Sequence, residues 1–102
     1  MNMTNYKAYR ILGPDPAAAG WTRYPPNQLG RVQFRRREQR PVGNYEQYCE
    51  SGGMTRSDDP DGGFTYCLSL PKAWAEQYDK VFSKLDRATF FKRLDELEQF
   101  WY

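Results

Sequence analysis

Residues 31–40 (RVQFRRREQR) carry the most distinctive chemistry in this sequence, a run of closely spaced arginines. Val32 and Phe34 alternate with polar residues, which predicts a strand with Arg31, Arg35 and Arg37 on one face. Alternate residues of a strand stand about 6.6–6.8 Å apart, and a guanidinium pairs bidentately with a carboxylate or a phosphate. The segment therefore predicts a docking face for an acidic protein surface or for nucleic acid. A solvated strand whose charges resist aggregation explains it equally well.

Aromatic residues at two other places are candidates for the same surface. Trp21 and Tyr24 lie in segment 13–30, which is rich in Pro, Gly and Ala. We expect this segment to form either a short extra strand around Trp21–Tyr24 or an ordered binding loop. Phe100 and Tyr102 lie outside the last apolar stripe. Contact with a partner and packing at the end of the helix are equal alternatives for these two side chains. The predicted partner-binding residues are Arg31, Arg35, Arg37, Arg40, Trp21, Tyr24, Phe100 and Tyr102.

Catalytic and metal-binding patterns are weak in this sequence. Histidine is absent, which excludes every mechanism and metal site that depends on it. The run 57–62 (SDDPDG) matches part of a calcium-loop template, but Leu68 stands where the bidentate glutamate is needed, so we interpret the run as a turn. Cys49 lacks a histidine partner and is predicted to be a half-buried thiol. We therefore predict no catalytic set, no metal site and no cofactor.

Size and charge limit the class of protein. A chain of 102 residues fits one domain, 1–102, and its 17% aromatic content is typical of a folded core. A mean hydropathy of −0.94 excludes a membrane span, so we expect no membrane partner. The pI of 8.6 lies below the value of about 9 that marks a strongly basic nucleic-acid binder. The N-terminus lacks the apolar core of a signal peptide, which predicts a cytoplasmic protein with reduced cysteines.

Five segments of the chain before residue 71 have patterns of regular structure or loop. Residues 5–12 and 31–38 are predicted strands, whereas residues 44–49 are compatible with a short strand or a helical turn. Residues 50–63 are predicted to be a polar loop. The clearest strand covers residues 64–70, with Phe64, Tyr66, Leu68 and Leu70 on one face.

Two amphipathic stripes after Pro71 predict a helical pair. The first stripe comprises Trp74, Tyr78, Val81, Phe82 and Leu85, and the second comprises Phe90, Leu94, Leu97 and Trp101. The five-residue step between them rotates the apolar face by about 140°, so one straight helix cannot bury both stripes. We expect a break near Ser83–Asp86, with Asp86 as the cap of the second helix.

Together these elements predict an α+β fold, a small antiparallel sheet of three to four strands packed against two C-terminal helices. The leading functional hypothesis is a non-enzymatic protein-binding module that regulates or stoichiometrically inhibits a larger protein. We expect that partner to have an acidic surface, because such a surface complements the charge of the arginines. Small inhibitors from phages and other mobile elements share this profile. The alternative is an RNA- or DNA-binding module that uses the same arginines, and an enzyme ranks last. A homodimer through the exposed strand or the last helix is compatible with either hypothesis.

Overall fold

The computed structural model describes residues 3–98 and folds them into an antiparallel sheet with helices on one face. The helices are α1 (Met3–Leu12), α2 (Gly43–Glu50), α3 (Lys72–Lys80) and α4 (Arg87–Glu98), with a 3₁₀ turn at Phe82–Lys84. The strands are β1 (Thr22–Arg23), β2 (Arg31–Glu38), β3 (Met54–Asp58) and β4 (Phe64–Pro71), in the spatial order β1-β2-β4-β3. The α+β prediction is confirmed, and the sheet has four strands.

The central strands β2 and β4 place their apolar residues on one face of the sheet. Phe34 stands opposite Leu68 and Val32 opposite Leu70, and all four side chains are buried. Successive side chains of a strand point to opposite faces, so this register brings both apolar sets together. The helices and the 3₁₀ turn supply most of the remaining core, including Tyr9, Tyr78, Phe82, Phe90 and Leu94.

The prediction of a strand at residues 5–12 is wrong, because this segment forms α1. Its buried side chains include Asn5, Ala8, Tyr9 and Leu12, which are three or four residues apart and share one helical face. Tyr9 is fully buried among the rings of α3 and of the 3₁₀ turn, and its hydroxyl donates to the Trp74 carbonyl at 2.5 Å. The helical spacing of these buried residues therefore prevails over the alternation of Tyr6 and Ala8 with Lys7 and Tyr9, on which the strand prediction depends.

Residues 44–63 also differ from the simplest sequence interpretation. Of the two structures that the pattern allowed for 44–49, the chain adopts the helical one, in α2, with Tyr48 buried. The predicted polar loop 50–63 contains β3, where Met54 is buried and the next four residues are exposed. An outer strand with one buried residue has no alternating pattern, so the pairing of its backbone with β4 is what defines it.

The predicted break between the C-terminal helices is confirmed. The carboxylate of Asp86 accepts a hydrogen bond from the backbone N–H of Thr89 at 2.7 Å, as expected of a helix cap, and this bond lowers the pKa of Asp86. Val81, a member of the first stripe, is 42% exposed because α3 ends at Lys80. Trp101 lies outside the described residues.

Candidate functional site

The sheet face opposite the helices carries polar side chains, none of which is buried. We call it the open face. Across its middle the strand register aligns Thr22, Arg35, Cys67 and Thr55 in one row. Side chains at alternate positions along the same strands share this face. Its members are Thr22, Tyr24, Arg31, Gln33, Arg35, Arg37, Thr55, Ser57, Thr65, Cys67 and Ser69.

Arg35 lies at the centre of the open face and stacks on Tyr24. Its guanidinium carbon is 4.7 Å from the centroid of the Tyr24 ring, and Nη2 donates to Gln33 Oε1 at 3.0 Å. Among residues 3–98 no carboxylate pairs with Arg35. Tyr24 is 39% exposed, so the stacked pair presents a cation and an aromatic ring together to solvent.

Arg37 shares this face with Arg35, but acids of the same chain neutralise it. Its guanidinium pairs with Asp61 and with Asp59 Oδ2, the latter at 3.1 Å. Hydrogen bonding from Arg37 holds the pKa of Asp61 below its ordinary value. The prediction that Arg37 joins Arg31 and Arg35 in offering a free guanidinium to a carboxylate or a phosphate is therefore corrected, because Arg37 already has carboxylate partners.

Arg31 and Arg40 stand apart from the centre of the open face. Arg31 is half-buried, and its guanidinium donates two hydrogen bonds to Ser69. Nε donates to the hydroxyl oxygen of Ser69 at 2.7 Å, and Nη2 donates to its carbonyl oxygen at 3.1 Å. Arg40 is exposed in the connection from β2 to α2, beyond the last residue of the strand. Neither residue extends the row of Arg35.

Trp21 does not offer a docking surface. It is 3% exposed and belongs to the core, with its ring centroid 5.6 Å from that of Tyr45. The short-strand interpretation of this segment is the correct one, since β1 begins directly after Trp21. The prediction that Trp21 contacts a partner is therefore replaced by a structural role. Phe100 and Tyr102 lie outside the described residues.

Sequence reasoning missed the small polar side chains that surround Arg35. Thr65, Cys67 and Ser69 occupy the positions of β4 that alternate with its buried residues. Thr55 and Ser57 continue this surface on β3. The alternation in residues 64–70 contained the necessary signal, because the polar half of a half-buried strand must face away from the core. The open face is thus rich in hydroxyl groups as well as arginine.

The calcium-like run 57–62 ends in a hairpin turn. The N–H of Asp59 donates to the Gly63 carbonyl at 2.8 Å, and the N–H of Gly62 donates to the Asp59 carbonyl at 3.0 Å. Gly62 has a φ of +93°, which glycine adopts without steric cost. In the described part of the chain, no group of three or more His, Cys, Asp or Glu side chains is arranged to hold a metal ion.

Cys49 and Cys67 are both free thiols, and both are partly exposed. Burial raises the pKa of the Cys49 thiol, and Glu46 adds to the effect. A raised pKa favours the protonated thiol at neutral pH and lowers its nucleophilicity. Cys67 contributes a small side chain to the open face.

Comparisons with known proteins give no family for this chain. No protein-family profile matches it, and no curated protein or solved structure is significantly similar to it. Over residues 3–98, no helix combines the length and apolar character that crossing a bilayer needs.

Proposed function

We propose that this chain is a non-enzymatic protein-binding module that docks a larger partner on its open face and regulates or inhibits it. The observation that carries the proposal is Arg35, a cation without a carboxylate partner among the described residues, stacked on a part-exposed Tyr24. Arginine and tyrosine are the residue types most enriched among those that dominate binding energy at protein interfaces. The nearby hydroxyls of Thr22 and Thr55 supply adaptable hydrogen bonds, whereas that of Thr65 already donates to the Asp59 carboxylate.

The charge of the open face favours an acidic protein patch over a phosphate backbone. Three arginines and the two neighbouring carboxylates that pair with Arg37 leave a net charge of about +1 on this surface. Nucleic-acid binding relies on many uncompensated cations along a groove, whereas one guanidinium suits a single carboxylate of a partner. A cytoplasmic location belongs to the same proposal, supported by the two unpaired thiols.

The test uses a charge reversal at Arg35 with a matched control. Immobilised wild-type chain is used to capture partners from host extract with nuclease added, and the captured protein is then purified and titrated against the variants. We expect Arg35→Glu to weaken binding at least about tenfold, because it places a carboxylate against an acidic patch. Lys84→Glu makes the same change in net charge on the helical side and should leave the affinity unchanged. Equal losses in both variants would contradict docking on the open face.

A nucleic-acid-binding module is the second candidate, favoured by one observation. The Arg35–Tyr24 stack resembles in geometry the platforms on which unpaired bases stack. Fluorescence anisotropy with a labelled single-stranded oligonucleotide, at low and moderate salt, tests this alternative directly. Binding that falls steeply with salt and is lost in Arg35→Glu would replace the protein-binding proposal.

A further inference from the structure

The outer edge of β3 is exposed along most of its length. β3 is a terminal strand of the sheet, and Thr55, Arg56, Ser57 and Asp58 are all exposed. An exposed strand edge offers unpaired backbone donors and acceptors to another strand.

The hairpin turn fixes the direction of the backbone groups in β3. In an antiparallel pair, hydrogen-bonded and non-hydrogen-bonded positions alternate. Asp59 donates to Gly63, so the pairs Ser57–Thr65 and Thr55–Cys67 are also hydrogen-bonded positions. Arg56 and Asp58 fall at the other positions and direct their N–H and C=O groups away from β4. Within residues 3–98 these outward backbone groups have no hydrogen-bond partner.

We propose that β3 pairs antiparallel with β3 of a second copy of this chain, about a two-fold axis through Ser57. In this register Arg56 stands opposite Asp58 of the second copy, and Asp58 stands opposite its Arg56. Each of the two positions exchanges a pair of backbone hydrogen bonds, which gives four across the interface. The two four-stranded sheets then form one continuous sheet of eight strands.

Charge complementarity selects this register. Arg56 and Asp58 lie opposite Tyr66 and Phe64, so both side chains are on the helical face of the sheet. Within one chain Arg56 Nε is 3.8 Å from Asp58 Oδ1, and the Asp58 side chain is 76% exposed. Its carboxylate is therefore accessible to a second guanidinium. A register centred on Arg56 would instead place two arginines opposite each other, which is destabilising.

Neighbouring residues hold Arg56 in place and limit the length of the new ladder. The guanidinium of Arg56 pairs with Glu46 at 2.5 Å and lies 4.8 Å from the centroid of the Phe64 ring. At the far end Pro60 would stand opposite Met54, where it has no N–H to donate. Pairing therefore stops after a few residues. We expect a weak dimer, with a dissociation constant in the micromolar range or above.

Disulfide trapping tests the position of the axis. Ser57 would face Ser57 of the second copy at a non-hydrogen-bonded position, with the Cα atoms about 4.5 Å apart, a distance within the range for a disulfide. In a chain that carries Cys49→Ser and Cys67→Ser, we expect Ser57→Cys to form a covalent dimer under mild oxidation. Thr55→Cys on the same strand is the control, because its Cα atoms would be about 13 Å apart. No covalent dimer with Ser57→Cys, or equal trapping with Thr55→Cys, overturns the proposed register.

Complementary charge variants test reversible association. We expect Arg56→Asp and Asp58→Arg each to be monomeric by sedimentation velocity where the wild type associates, and an equimolar mixture to form a heterodimer. Arg56→Asp also loses the ion pair with Glu46 and could fail to fold for that reason. In that case the association of Asp58→Arg is compared with that of the wild type. Arg35→Glu should associate normally, which separates this proposal from docking on the open face. A wild type that remains monomeric at about 1 mM overturns the proposal.

Discussion

Two tight turns at opposite ends of the sheet share one backbone geometry and differ in what stabilises them. The Asn27 turn (residues 27–31) precedes β2, and the Asp59 turn (residues 59–63) precedes β4. In each turn the N–H of the first residue donates to the carbonyl of the fifth, at 2.9 Å in the Asn27 turn and 2.8 Å in the Asp59 turn. The N–H of the fourth residue donates to the carbonyl of the first, at 3.1 Å and 3.0 Å in the same order. The fourth residue is a glycine with positive φ, +73° for Gly30 and +93° for Gly62.

The side chains of the two turns make different contacts. In the Asn27 turn, Oδ1 of Asn27 accepts the N–H groups of Leu29 and Arg31, at 2.9 and 3.1 Å, so the turn is closed by its own first residue. In the Asp59 turn, Asp61 Oδ1 also accepts a backbone N–H, that of Gly63 at 3.3 Å, but the carboxylates of Asp59 and Asp61 pair in addition with Arg37 of β2.

Backbone and side chains have different roles in these two turns. Glycine at the fourth position allows the left-handed conformation, and the hydrogen bonds of the turn follow from it. The side chains then decide whether the turn is also ion-paired with a neighbouring strand. The coupled Asp59 turn also changes the candidate site, because it neutralises one arginine of the open face and leaves Arg35.

The largest expected effect tests the shared geometry. Gly30→Ala and Gly62→Ala should each lower the free energy of unfolding by about 1–2 kcal/mol, because alanine is strained in the left-handed region. A Cβ at either position meets no atom within 4 Å, so conformational strain is the only expected cost. Urea unfolding measures both, with Gly43→Ala as a control in α2, where φ is not positive and space is also open. Very different losses in the two turns would show that they are not equivalent.

A smaller effect tests the self-closed turn. Asn27→Ala should lower the free energy of unfolding by about 0.5–1 kcal/mol, since it removes the acceptor of two backbone N–H groups in an exposed turn. Asn27→Asp keeps that acceptor and should retain most of the stability in the same urea titrations. If the aspartate variant is as unstable as the alanine variant, the side-chain hydrogen bonds are not what stabilises this turn.

The smallest effect, which depends on pH, tests the coupled turn. Because Arg37 lowers the pKa of Asp61 in the folded chain, the ionised carboxylate favours folding above its ordinary pKa. This contribution is lost as the pH falls through the lowered pKa. We expect the wild type to be more stable than Asp61→Asn near neutral pH and the difference to disappear in acid, as measured by thermal unfolding across that range. The difference between the wild type and Asn27→Ala should not vary in this way.

Much of the fold was predictable because its signals are local. The alternation in residues 31–38 and 64–70 predicts the two central strands, and the five-residue step between apolar stripes predicts the break before Asp86. The segment that forms α1 favours a strand by the alternation of Tyr6 and Ala8 with Lys7 and Tyr9, and the structure shows that its buried residues have helical spacing instead. β3 carried no pattern at all, since most of an outer strand faces water.

The candidate site was only partly predictable, because some of its features depend on contacts between residues that are distant in the chain. Alternation along one strand places Arg31, Arg35 and Arg37 on the same face, and the structure agrees. Sequence did not indicate that Trp21 enters the core, since its contact with Tyr45 joins residues distant in the chain.

By itself the sequence determined which residues alternate, where helices end and where glycine permits a turn, because each of these depends on neighbours along the chain. Only the tertiary structure decided which charges remain without partners. Arg37 and Asp61 are 24 residues apart, and strand register brings them together while it leaves Arg35 on Tyr24. Electrostatic pairing depends on distance in space, and the register of the sheet sets that distance.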